Sequence, residues 1–213
     1  MRATLVCLLL LVGSRERLSA QNDCLKDLSW PPVGRWASYT SVENGKTMVL
    51  RYAAVGTENR EGVPLKWIEM QTRVDSAPGS IFQMLLPGGP ADIPKVQEVV
   101  MKHGDRPAMK MGGMMLGMVR KQLEESSIFS NLCEGVTFVG EETVKVPAGS
   151  FTSLHFHNDT YQSDSWLSRS VPFMLVKTVT PRHQVELKKI GDGAKSSITE
   201  TPTEMPGLAA PSR

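Results

Sequence analysis

Val139 to Val179 reads VGEETVKVPAGSFTSLHFHNDTYQSDSWLSRSVPFMLVKTV, and this stretch decides the fold. Two runs of strand-type residues meet at Pro147-Ala148-Gly149. Proline presets φ for the first corner of a turn, and glycine accepts the positive φ that closes a hairpin with a bulge. A third run, around Trp166, leads through Val171-Pro172 into Phe173-Met174-Leu175-Val176. The spacing predicts a β-meander with strands near Thr137–Val146, Phe151–His157, Gln162–Ser168 and Phe173–Val179.

Working outward towards the N-terminus, more strand signals appear. Gly34 to Val42 carries Trp36 and Tyr39, and Asn44-Gly45 is a strong hairpin turn into Thr47 to Val55. In Val63 to Val74, Leu65, Trp67, Glu69 and Gln71 share one side while Lys66, Ile68, Met70 and Thr72 share the other. Neither side is purely polar, which suits a strand partly covered on both faces. Ser80 to Leu86 then ends at Pro87-Gly88-Gly89-Pro90.

The period changes next. Ile93, Val96, Val99 and Val100 recur at three and four within Ile93 to His103, which predicts an amphipathic helix. Met114 to Ser126 predicts a second, with Met115, Met118, Val119 and Leu123 on one side. Beyond the meander, Val185 to Ile190 and Lys195 to Thr201 predict a closing hairpin around Gly191-Asp192-Gly193. Strands, two helices, then strands again, with no βαβ alternation, argue an α+β layer architecture. The expected form is a curved antiparallel sheet, a half-barrel, with both helices packed on its concave face.

The ends of the chain bound the domain. Met1-Arg2 followed by the apolar run Ala3 to Val12 reads as a secretory signal peptide, too short to span a bilayer as a mature helix. The expected cleavage follows Ala20, with Ser14 as the second choice. The organisation is then residues 1–20 signal, 21–202 a single domain, and 203–213 a disordered tail rich in Pro, Gly and Ala. No apolar run long enough for a membrane span remains after the signal. The expectation is a periplasmic or secreted protein without an integral membrane segment, and a monomer. Cys24 and Cys133 survive processing, and in an oxidising compartment the pair predicts a disulfide. Closing so long a loop is worth roughly 4–5 kcal/mol in the chain-entropy model.

Composition narrows the function. The full chain has 213 residues and net charge +2, and losing Arg2, Arg15, Glu16 and Arg17 leaves it near zero. No basic cluster marks a nucleic-acid face and no polybasic stripe marks an anionic membrane. There is no G-x-S-x-G elbow, no H-E-x-x-H and no P-loop, so no catalytic residue and no cofactor is expected.

Two constellations could bind. Alternation from Phe151 puts His155 and His157 on one strand face, an H-x-H spacing able to chelate zinc or copper, with Asp159, His103 or His183 as possible third donors. The simpler reading turns both imidazoles to water while Leu154 and Phe156 face the core, and no metal site is assigned. Met109, Met111, Met114, Met115 and Met118 form the second set; thioethers suit Cu(I), and they equally fill an adaptable apolar pocket.

Gly140 to Phe151 (GEETVKVPAGSF), then Trp166-Leu167-Ser168, Val171-Pro172-Phe173 and Leu175-Val176-Lys177, resemble a set of uncharacterised bacterial secreted proteins. Pro107 to Met111 resembles the same relatives. More distantly the chain resembles the lipoprotein-carrier superfamily of LolA and LolB. That resemblance implies a half-barrel closed by helices over an apolar cavity that holds acyl chains. The expected ligand is a lipid or other apolar molecule, against a wall of Ile93, Val96, Val100, Met115, Met118 and Val119. No arginine here matches the buried gating arginine of the carriers, and fold transfers better than function. The alternative is a periplasmic copper- or zinc-binding protein.

Overall fold

Tight turns set the strand pairing. The computed structural model describes residues 28–74, 78–126 and 135–205. Asn44 and Gly45, at φ 49° and 76°, close β1 (Trp36–Glu43) onto β2 (Lys46–Arg60). Glu61 and Gly62, at 52° and 81°, do the same between β2 and β3 (Val63–Val74), and the Asn59 side-chain oxygen accepts from the Gly62 N–H at 3.0 Å. Two consecutive positive-φ residues give the turn twist that matches paired strands.

The chain continues through β4 (Ser80–Pro87), a 3-10 helix (Pro90–Lys95), β5 (Glu98–His103), β6 (Met109–Lys110) and the helix α1 (Gly113–Ser126). The meander follows as β7 (Val136–Val146), β8 (Gly149–Asn158), β9 (Ser163–Leu167) and β10 (Leu175–Val179), then β11 (His183–Gly191) and β12 (Thr203–Glu204). These twelve strands form one sheet, ordered β12-β6-β5-β4-β3-β2-β1-β11-β10-β9-β8-β7. Every neighbouring pair is antiparallel except β12–β6, which is parallel.

Both faces at the sheet's centre are covered. On one face Trp30, Ala54, Ile68, Leu86, Ile93, Val96 and Val99 form a buried core, against which Leu116, Val119 and Leu123 of α1 pack. Burying a side chain such as Ile68, 1% exposed, stabilises by about 1.5–3 kcal/mol. Arg120 Nε donates to the Val96 carbonyl at 2.7 Å and ties α1 to the end of the 3-10 helix. A second core on the same side, around Ala37, Tyr39, Val176 and Leu187, takes in Val146 and Ala148 from the β7–β8 turn. Ala148 N–H donates to the Leu187 carbonyl at 3.2 Å.

The opposite face is crossed by the segment between β11 and β12. Ala194 N–H donates to Gly34, Ser197 N–H to the Glu69 carboxylate, and Thr203 N–H to Ala108. Ile198 packs there with Val100 and Ala108, and Trp67 and Ile81 lie against them.

Several expectations are corrected. The curved half-barrel does not form: the α+β fold has a large mixed sheet with two free ends, not strongly curled or closed. A sheet bends around a layer on one face; here the crossing segment packs the other face as well. The two-helix layer reduces to one short 3-10 helix and α1. Ile93–His103 is not a helix: Pro94 sits inside the 3-10 turn, and Glu98-Val99-Val100-Met101 enter the sheet. Val99 and Val100 are both buried because they point into different cores. Such a doubly covered strand loses its polar alternation and imitates a helical period. Lys195–Thr201 crosses the sheet instead of closing a hairpin. β12, Thr203–Glu204, is formed by the first two residues of the segment 203–213. The expected disulfide is withdrawn: no disulfide is present among the described residues, and Cys24 and Cys133 both lie outside them, as do signal residues 1–20.

Candidate functional site

Between β9 and β10 the chain makes a compact loop. Val171 N–H donates to Ser168 at 3.2 Å, Met174 N–H to Val171 at 2.9 Å, and Ser168 N–H to Met174 at 2.8 Å. These bonds hold Phe173 and Met174 at φ 62° and 61°. Left-handed backbone at a non-glycine residue costs on the order of 1–3 kcal/mol. The geometry delivers the Phe173 ring to an aromatic row, with centroids 6.4 Å from Trp30 and 5.7 Å from Tyr52.

Trp30 is held in turn. Its Nε1 donates to the Pro87 carbonyl at 3.4 Å, and Lys66 Nζ donates to the carbonyls of Trp30 and Pro31 at 3.2 and 2.8 Å. Burial pushes the Lys66 ammonium below its ordinary pKa. Between the Ser29–Pro32 segment and the Arg169–Met174 loop lies a cleft of about 460 Å³. Trp30, Pro172, Phe173 and Met174 give it apolar surface, and Arg35 and Arg169 give it positive charge. Arg35 also pairs with Asp192 at 3.4 Å, and Arg169 is exposed.

The six residues expected to wall a cavity are dispersed. Ile93 and Val96 are buried in the first core with Val119 packed against it. Val100 lies in the core of the opposite face. Met115 is half-buried, and Met118 is 60% exposed. Met114 is also exposed, Met111 packs on the first core, and Met109 pairs with Met101 in the sheet.

His155 and His157 do share a face, and of the three expected third donors Asp159 lies beside them, its Oδ1 3.4 Å from His157 Nε2, while the two histidines do not. His103 bonds to Ser80 at 2.9 Å and His183 to Ser41 at 2.7 Å, on other strands. Register instead sets Asp164 of β9 opposite His157 and Trp166 opposite His155. Asp164 Oδ1 lies 2.8 Å from His155 Nε2 and 3.0 Å from His157 Nδ1. The Asp164 hydrogen bond raises the His157 pKa. Burial alone would raise the Asp164 carboxyl, but the bonds from His155 and His157 outweigh it and hold it below its ordinary value. His155 stacks on Trp166 at 4.6 Å, and Trp166 Nε1 donates to Glu142 Oε1 at 2.6 Å.

Sequence reasoning passed over Asp164, Arg35, Arg169 and the loop conformation of Phe173. Only Asp164 left a signal: an acid at alternate spacing from Trp166 in the strand that follows an H-x-H strand.

No family model matches the chain, and no curated protein gives a significant match. Solved structures give remote likenesses. One is a protein assigned as exported, with a YmcC-like fold, from Bacteroides fragilis, at 10% identity and TM-score 0.39 over 78% of this chain and 99% of that one. Another is a protein assigned as a lipoprotein from Parabacteroides distasonis, at 10% identity and TM-score 0.37 over 78% and 100%. A third is MucB, at 12% identity and TM-score 0.35 over 85% of this chain and 59% of that one. At this level a likeness does not carry a function across. No helix among the described residues is long and apolar enough to cross a membrane.

Proposed function

We propose that this chain is a non-catalytic exported protein that binds an apolar ligand with an anionic end, a fatty-acid-like amphiphile, in the cleft between Trp30 and Phe173. The observation that carries this reading is the Phe173–Met174 pair, held in left-handed backbone where the loop turns an aromatic ring onto Trp30 beside the cleft. Such strain persists only where surrounding structure holds it, and it concentrates at ligand sites. About 460 Å³ falls within the range of small-molecule pockets, ~300–1,000 Å³. Arg35 and Arg169 offer guanidinium forks suited to a carboxylate or phosphate. Ile93, Val96 and Val119 belong to the packed core that Trp30 joins. Export is supported by the signal-like residues 1–20.

Titration with dodecanoate and with dodecanol, followed by tryptophan fluorescence, tests the reading. Saturable binding of the acid is expected, with the alcohol weaker. Arg169→Ala, at an exposed position, is expected to bring the acid down to the level of the alcohol. Absence of saturable binding by either ligand to the unmodified protein would overturn the proposal.

A further inference from the structure

The H-x-H pair poses a proton problem. Each imidazole faces a carboxylate oxygen at both of its nitrogens. His155 meets Asp164 through Nε2 at 2.8 Å and Glu142 through Nδ1 at 3.2 Å. His157 meets Asp164 through Nδ1 at 3.0 Å and Asp159 through Nε2 at 3.4 Å. A neutral imidazole has one N–H and one lone pair. With neutral rings, one nitrogen of each therefore sets a lone pair against a carboxylate. The arrangement is complete only with extra positive charge: a second proton on each ring, or one cation shared by both.

We propose that His155 Nε2, His157 Nδ1 and Asp164 bind a single divalent cation of the imidazole-seeking class, copper(II) or zinc(II). The outer nitrogens already have the partners that such ligands use. His155 Nδ1 lies 3.2 Å from Glu142 Oε1, itself held by Trp166, and His157 Nε2 lies 3.4 Å from Asp159 Oδ1; with their protons on these outer nitrogens, both rings free the inner lone pair. Metal–nitrogen and metal–oxygen bonds near ~2.0–2.1 Å place two donors on one ion roughly 3.3 Å apart. The observed 2.8 and 3.0 Å need only a small opening. Among the described residues no group of three or more His, Cys, Asp or Glu could hold a metal ion as its side chains now stand. Here Asp164 Oδ1 stands at the point where the two imidazoles converge, and the site forms as its carboxylate turns aside. All three side chains reach solvent, at 18%, 32% and 36% exposure, so water completes the coordination. Lys177 Nζ lies 5.9 Å from the Trp166 ring centroid and is paired with Glu186 at 2.8 Å.

Chelator-treated full-length protein is titrated with zinc chloride and, separately, copper(II) chloride in a calorimeter. One ion per chain is expected for at least one metal. Copper is expected to quench part of the tryptophan emission, because Trp166 stacks on a ligand ring. His157→Ala and Asp164→Asn are each expected to weaken binding by at least tenfold. Glu142→Gln, which keeps all three ligands, is expected to weaken it by about tenfold. Unchanged circular dichroism confirms that the variants fold. Wild-type protein without saturable one-to-one binding overturns the proposal, as does equal affinity in His157→Ala and Asp164→Asn. Binding abolished by Met114→Leu with Met118→Leu, but kept in those variants, also overturns it.

Discussion

Glu69 of β3 accepts a hydrogen bond from the Ser197 backbone N–H at 2.8 Å, joining positions 128 residues apart in the chain. Glu69 is fully buried, and its two oxygens also accept from Gln71 Nε2, Gln83 Nε2 and Ser197 Oγ at 2.7 to 2.8 Å. Arg51 stands 3.9 Å away. A carboxylate in the middle of a sheet thereby becomes the peg that holds the crossing segment down.

Replacing that peg strands its donors. Glu69→Ala is expected to destabilise the fold by about 3 kcal/mol, because two amides and a backbone N–H lose their acceptor in a buried place. Urea unfolding measures the loss. Amide exchange is expected to accelerate selectively across residues 194–204. A change below about 0.5 kcal/mol would mean that the crossing segment is held by its apolar contact at Ile198 instead.

Acid is expected to loosen the same segment further along. Lys102 donates to Glu200 Oε1 at 2.6 Å, and this bond, helped by backbone N–H groups including that of Ala108, holds the Glu200 carboxyl at about 2. A depressed folded-state pKa contributes stability that is complete above the unfolded carboxylate range, about 4.3, and is lost as pH falls towards 2. Glu200→Gln is therefore expected to be less stable than wild type at pH 7, with the gap closing near pH 2. Paired urea midpoints at the two pH values check this.

Gly191 ends β11 directly beneath an indole. A Cβ there would lie 2.6 Å from Trp36 Cζ2 and 2.8 Å from its Nε1. The ring is not free to retreat: Nε1 donates to the Asp192 carbonyl at 3.2 Å, and the Arg51 guanidinium lies 4.9 Å from its centroid. Gly191→Ala is expected to cost about 1–3 kcal/mol by overpacking, read as a lower melting temperature. Adding Trp36→Leu is expected to recover part of that loss.

Burial raises the phenol pKa of Tyr39, with a further push from Tyr52, and burial raises that of Tyr52. Tyr39 Oη donates to the Pro172 carbonyl at 3.4 Å beneath the cleft loop. In an alkaline difference spectrum both phenols are expected to stay silent through the ordinary range near 10, ionising only as the protein unfolds. Early titration of either would place it in contact with water.

Much of the sheet was legible because its signals are local. Asn44-Gly45 and Pro147-Ala148-Gly149 mark turns through backbone preference alone, and both close hairpins in the structure. Alternation assigned the two sides of β3: Trp67, Glu69 and Gln71 face the crossing segment, while Ile68 faces the first core. β5 was misread because its second covering layer comes from residues a hundred positions later, and no local pattern announces it. The surroundings of the candidate sites were illegible for the same reason. His155 and His157 were visible as a pair, but Asp164 became their partner only through strand register.

By itself, then, the sequence determined the turns, most strand positions and the shared face of the two histidines, since these depend on φ preference and period-two geometry within a few residues. Tertiary structure alone decided the open sheet, the crossing segment over Glu69, and the cleft between Trp30 and Phe173. Each of those rests on contacts between residues more than a hundred positions apart, whose free energy appears only when distant faces are brought together.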